Sequence, residues 1–177
     1  MSSIHIIPVH LPDNKLLSPL SKELTRQFGL PTLINKIDFD ISFAYDSYRN
    51  QYHSTKIITG LRNLIDSIND KYLAVTEYDL FIPILTYVFG EAQLDGPVSV
   101  VSIKRLQPEF YGLPEDENLV LERLKKEAVH ELGHTFGLHH CPDFQCVLNS
   151  STYVEEIDFK LVTFCENCLL RLKENIK

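Results

Sequence analysis

The sequence predicts an α+β fold built as one domain. Short runs rich in Ile and Val, each closed by a turn signal, alternate with apolar stripes at helical spacing. A chain of 177 residues with 44% hydrophobic content can bury one sizeable core, and a second independent one would be cramped. The last long stripe runs without a break into a cluster of histidines, and all four cysteines follow it.

Residues 4–9 are apolar and β-rich and should form a first strand, stopped by Pro12-Asp13-Asn14. Leu16, Leu17, Leu20, Leu24 and Phe28 recur at helical steps, and Gly29 with Pro31 supplies the stop. Residues 33–41 alternate, with Leu33, Asn35, Ile37, Phe39 and Ile41 on one face, and so read as a strand with one wetter side. Residues 44–53 are polar and aromatic, a loop leading to a helix near Ser54 whose stripe is Ile57, Ile58, Leu61, Leu64, Ile65 and Ile68. Residues 73–75, 80–84 and 87–92 are short β-like runs, Pro83 confining the second to an edge or a strand end. Asp95-Gly96-Pro97 signals a turn before a buried strand over 98–103. Leu113-Pro114-Glu115-Asp116-Glu117 opens a helix, Pro in its first turn and acids at its positive end, with Leu121, Leu124, Ala128 and Leu132 as its core stripe.

The formal charge of −7 speaks against nucleic acid as a partner, because phosphate neutralisation takes clustered Lys and Arg. No apolar run approaches the roughly 20 residues that span a bilayer, and the first residues lack a basic region ahead of an apolar one. The expected setting is cytoplasmic, with no membrane partner and a monomeric chain.

The chemistry concentrates in His130-Glu131-Leu132-Gly133-His134-Thr135-Phe136-Gly137-Leu138-His139-His140. On a helix His130 and His134 lie one turn apart, so both imidazoles can share one ion. Glu131 is rotated by about 100° from His130, which suits a base acting on water and not a ligand. Gly137 can adopt the left-handed conformation that ends the helix, letting His140 swing back as a third ligand. Three ligands leave a position open, which is the mark of a catalytic zinc site. A chance His-Glu-x-x-His is plausible in a chain with seven histidines; Gly137 and His140 in addition make chance far rarer. His139 should face elsewhere. His5, His10 and His53 lack partner spacing and read as structural or surface residues.

Cys141, Cys146, Cys165 and Cys168 form a Cys-x4-Cys…Cys-x-x-Cys pattern for which a four-thiolate structural zinc and two disulfides compete. A reducing cytoplasm favours the metal. The ion would then supply folding energy to a tail with few apolar residues, and Cys141 would tether His140. The Cys-x-x-Cys half should open a last helix carrying Leu169, Leu170, Leu172 and Ile176. Two zinc ions are therefore expected, one catalytic and one structural.

The eleven-residue motif is the metzincin signature, and a Cys directly after the third His with four cysteines in all resembles the archaemetzincin branch. Supporting stretches are residues 87–92, 102–106, 108–112 and 126–129, and the likeness is clearest over about 73–168. The resemblance implies a zincin-like fold: a twisted mixed sheet and helices above a cleft (1–137) and a small zinc-stabilised lobe below it (138–177). It implies a zinc metallopeptidase acting on peptides or proteins, with Tyr87, Val88, Phe89, Gly90, Glu91 and Ala92 as the edge that pairs with substrate. Some metzincins add a Tyr from the turn region; Tyr153 is the nearby candidate, although its spacing does not match. One departure stands out. Metzincins place a Met beneath the zinc, whereas this chain has no internal Met and carries Leu148 there. A Leu for Met exchange usually costs less than about 1.5 kcal/mol, so metal binding should survive. The competing functions are a non-catalytic zinc-stabilised binding module, hinted at by Leu148, and hydrolysis of a non-peptide amide by the same residues.

Overall fold

In the computed structural model, residues 2–11 and 15–176 are described; the Pro12-Asp13-Asn14 stop lies outside them. Strand β1 (Ile4–Val9) has Ile4, Ile6 and Ile7 fully buried, as expected for a strand covered on both faces. Helix α1 (Leu17–Phe28) buries Leu17, Leu20, Leu24 and Phe28 and ends at Gly29, φ 66°, whose N–H donates to the Thr25 carbonyl. Strand β2 (Thr32–Ile34) pairs parallel with β1 and is shorter than the alternation of 33–41 suggested. Leu33 and Ile34 stay about half exposed at the sheet edge, while Phe39 and Ile41 turn inward to pack with Ile57, Ile58 and Leu61. Burying those two side chains outweighs extending a solvated edge ladder.

The expected loop at 44–53 is instead a small antiparallel pair, β3 (Tyr45–Asp46) and β4 (Gln51–His53), and β4 pairs parallel with β6 (Leu80–Phe81) in a second, three-stranded sheet. Helix α2 (Ser54–Arg62) stops earlier than its apolar stripe: Ile65 is buried beyond it, but Leu64 and Ile68 are exposed. Strands β5 (Lys71–Thr76), β7 (Gly90–Ala92) and β8 (Val98–Ser102) complete the main sheet in the order β2-β1-β5-β8-β7, with β7 antiparallel to β8 and the other pairs parallel.

The period of two sorts this sheet onto two cores. Ile4, Ile6, Leu73, Val75 and Val101 join α1 and the long helix α3 (Glu117–Thr135). Ile7, Val9, Tyr72, Ala74, Val98 and Val100 face α2. Asp116 caps α3 by accepting from the Leu119 N–H at 3.0 Å, so Pro114 precedes the helix and does not sit in its first turn. Val120, not Leu121, heads the buried stripe with Leu124, Ala128 and Leu132.

Beyond Gly137 lie α4 (Val154–Phe159), which the sequence did not signal, and α5 (Glu166–Asn175). Val147, Leu148, Ile157, Phe164 and Leu172 pack into the same core as α1 and α3, with Phe28 stacked on Phe136 (5.2 Å) and edge-on to Phe164 (5.7 Å). No helix among the described residues is long and apolar enough to cross a membrane.

Candidate metal centre and cleft

Helix α3 delivers His130 and His134 to one side, and Gly137 (φ 79°) ends it, with Gly137 and Leu138 N–H groups donating to the His134 and Gly133 carbonyls. The chain then returns His140, whose ring lies 5.3 Å from that of His130 and 4.9 Å from that of His134. One nitrogen from each of the three falls within 4.8 Å of the others.

The hydrogen bonds behind these rings decide what they can hold. His130 Nδ1 lies 2.8 Å from the Val147 carbonyl and His134 Nδ1 lies 2.7 Å from the Leu138 carbonyl. A carbonyl only accepts, so the hydrogen of each ring sits on Nδ1. The two Nε2 lone pairs then face each other across 3.0 Å, an arrangement that is repulsive without a cation between them. Protonation does not relieve it, because burial pushes both imidazoles below their ordinary range. The donor set, with its Nδ1–H groups fixed from behind, fits zinc.

Glu131 is buried beside this trio. A Cβ on Gly90 would come within 2.7 Å of Glu131 Cγ and 2.8 Å of its Oε1, so β7 lies against the carboxylate only because residue 90 has no side chain. Burial, and after it the negative charge of Glu127, raises the Glu131 carboxyl well above the usual carboxylate range, against the pull of Lys160. Glu127 is itself buried and meets the fully buried Lys160, Nζ to Oε1, at 2.9 Å. Sequence reading missed this pair; Glu127 lies one turn before Glu131 and was visible by helical spacing, but nothing local announced Lys160.

Beneath the histidines the Asn149 N–H donates to the Cys146 carbonyl at 2.9 Å, closing a tight turn that holds Leu148. Leu148 is fully buried against Gly133, where an added Cβ would come within 2.8 Å of its Cδ2. Asn149 Nδ2 also donates to the Cys141 carbonyl at 2.9 Å.

The Sγ atoms of Cys141, Cys146, Cys165 and Cys168 gather within 4.8 Å of one another, and all four are free thiols. Cys141 and Cys165 Sγ are 3.8 Å apart, close to the roughly 3.8 Å edge of a thiolate tetrahedron with 2.3 Å metal bonds and far from a disulfide. Cys165 stands at the N-terminal boundary of α5 and Cys168 lies in its first turn. Among the described residues, the two sets of ligating side chains that gather are these thiols and the three histidines. His5 instead stacks on Tyr72 and His10 packs against Tyr78.

A cleft at the histidines is lined by residues 85–90, by Glu127, His130, Glu131 and His140, and by residues 150–152. Of the expected edge, only Gly90–Ala92 is regular strand, and it ends the sheet. The Phe89 carbonyl and Gln93 N–H bond inward to Ser102 and Val98, so by alternation Gly90 and Ala92 turn their backbone groups outward. The Val88 N–H is spent on the Leu80 carbonyl at 2.9 Å. Tyr153 is mostly exposed at the start of α4 and does not line the cleft.

Comparison with known proteins agrees with this geometry. The model of Peptidase family M54 matches residues 17–174. The archaemetzincin of Methanocaldococcus jannaschii is 39% identical over 171 residues, covering 97% of this chain and 93% of its own length. A zinc-dependent peptidase from Methanocorpusculum labreanum superposes with a TM-score of 0.87 at 32% identity, covering 96% of this chain and 100% of that one. Archaemetzincin from Methanopyrus kandleri gives a TM-score of 0.83 at 32% identity over 99% of this chain and 95% of its own. With agreement of that extent in both sequence and fold, the chain belongs to Peptidase family M54, among the archaemetzincins.

Proposed function

We propose that this zinc metallopeptidase holds its catalytic ion on His130, His134 and His140, uses Glu131 as general base, and keeps a second, structural zinc on Cys141, Cys146, Cys165 and Cys168. The observation that carries the reading is the pair of Nε2 lone pairs facing each other across 3.0 Å at the cleft. Zinc bound there supplies Lewis acidity, polarising a carbonyl and acidifying water. Glu131 takes the proton of the attacking water on its carboxylate and passes it to the leaving amine. The outward backbone groups of Gly90 and Ala92 pair with an extended peptide, in the manner of an added strand.

The cleft divides an upper part, 1–137, from a lower part, 138–177, within one catalytic domain. The enzyme acts on peptides as a monomer in the cytoplasm, where thiols remain available to metal; its acidic balance gives nucleic acid no purchase.

Replacing Glu131→Ala removes the base and none of the seven proposed ligands. Hydrolysis of a peptide mixture, followed by mass spectrometry, should fall to background while metal analysis still finds two zinc ions per chain. Turnover persisting in that variant would exclude Glu131 as the base.

A further inference from the structure

The edge strand β7 is held by polar contacts more than by apolar ones. It is Gly90-Glu91-Ala92, two of the smallest residues around a charged one, and none of the three is fully buried. Apolar burial therefore does little to fix this edge. Its ladder is thin as well. Glu91, opposite Val100, is the strand residue whose backbone groups turn inward, because Gly90 and Ala92 turn theirs outward.

The Glu91 side chain makes up the deficit. By alternation it leaves β7 on the face opposite Gly90, toward α2, and its carboxylate reaches the first turn of that helix. The Thr55 hydroxyl lies 2.8 Å from one carboxylate oxygen and 3.0 Å from the other. The fully buried Ser54 donates its hydroxyl to the second oxygen. Helix α2 receives no side-chain cap from His53, the residue before it, so Glu91 also supplies the negative charge that its positive end favours. Hydrogen bonds to a carboxylate are roughly twice as strong as neutral ones. A glutamate placed on an edge merely to deter aggregation would point into water. This one is engaged on two sides, its backbone by β8 and its side chain by α2.

We infer that Glu91 is a positioning residue for the peptide: clasped between β8 and the start of α2, it holds β7 in the line at which Gly90 and Ala92 pair with substrate. This rests on the peptidase reading above. A preformed edge spares the ordering cost that a loose one would incur on binding. The effect of Glu91 therefore belongs to substrate binding more than to the chemical step.

The test measures kcat and KM of the zinc-loaded enzyme on a fluorogenic nonapeptide, with melting temperatures alongside. Glu91→Ala should raise KM at least about tenfold while kcat changes far less, the pattern of lost ground-state binding. Glu91→Gln, which keeps the shape and one acceptor oxygen, should raise KM less. Thr55→Val, at the exposed start of α2, removes one donor and should raise KM several-fold alone but add nothing to Glu91→Ala, since the two residues act through one contact. Should Glu91→Ala fail to fold, Glu91→Gln and Thr55→Val give the same reading. A KM that stays put in these variants, even with a lowered melting temperature, would overturn the inference and leave the carboxylate as a cap for α2 only. A fall in kcat at constant KM, or a Thr55→Val effect undiminished in Glu91→Ala, would overturn it too, with the peptidase reading intact. Failure of the unaltered enzyme to cut the nonapeptide would sink both.

Discussion

A buried ion pair does more at this site than the sequence pattern suggests. Lys160 has 1% of its surface exposed and donates to Glu127 at 2.9 Å and to the Asn149 carbonyl at 3.2 Å. It thereby ties α3 to the turn that holds Leu148. Removing one partner of such a pair costs about 3–5 kcal/mol, because a charge is left buried and uncompensated. Glu127→Gln should therefore lower the melting temperature, and its effect on pH dependence has a definite sign. Glu131 sits high because of burial first and Glu127 second, while Lys160 pulls it down. Without the Glu127 charge one raising influence is gone while burial and Glu91 still raise it and Lys160 still pulls it down, so Glu131 ionises at lower pH than before. The acid limb of kcat/KM should move to lower pH in Glu127→Gln; a limb that stays in place or rises would separate Glu127 from the base.

Among the elements, β7 and α3 are in contact where the chemistry happens, and residue 90 permits it. A Cβ there would come within 2.7 Å of the Val100 carbonyl oxygen as well as of Glu131 Cγ. Backbone cannot give way as a flexible side chain does, so Gly90→Ala must displace the edge strand or the base. A displacement of that order near reacting groups costs about a hundredfold in rate, and kcat/KM should fall accordingly with the circular dichroism spectrum kept; near-normal kcat/KM would show that β7 does not position the base. Elements of this kind were unevenly legible from sequence. The limits of β1 and α1 were readable because each carries its own periodicity and stop, as with Gly29. The gathering of the three histidines, with Glu131 buried beside them, was readable because one helix carries most of these residues. The 33–41 strand was not, since its alternation is satisfied equally by Phe39 and Ile41 burying beneath α2 without a ladder. Lys160, paired with Glu127, and the Tyr87 hydroxyl, which donates to the Thr152 carbonyl at 2.7 Å, depend on partners far away in the chain, which no local pattern encodes. The same holds for the Val88 N–H, engaged by Leu80.

At the scale of the whole molecule, the thiolate set and the histidine set are one mechanical unit. Cys141 follows His140 directly, its N–H donates to the Leu148 carbonyl at 3.0 Å, and the Cys141 carbonyl accepts from Asn149 Nδ2 at 2.9 Å. The segment beyond Gly137 is no loose appendage either, because Phe164 and Leu172 complete the core of α1 and α3. Loss of the thiolate ion should thus be felt at both places. Cys165→Ser removes one of the four thiols while leaving a residue well suited to the N-terminal boundary of α5, and zinc content should fall from two ions per chain to one. Since structural zinc contributes folding free energy directly, and each kcal/mol shifts the midpoint of a chain this size by about 2–4 °C, the melting temperature should drop by about 10 °C or more. Zinc affinity at the histidines should weaken as well, because His140 loses the anchor beside it. A zinc content of one ion per chain both before and after the exchange, with an unchanged melting temperature, would mean that the four thiols hold no structural ion and that hydrophobic packing alone fixes the third histidine.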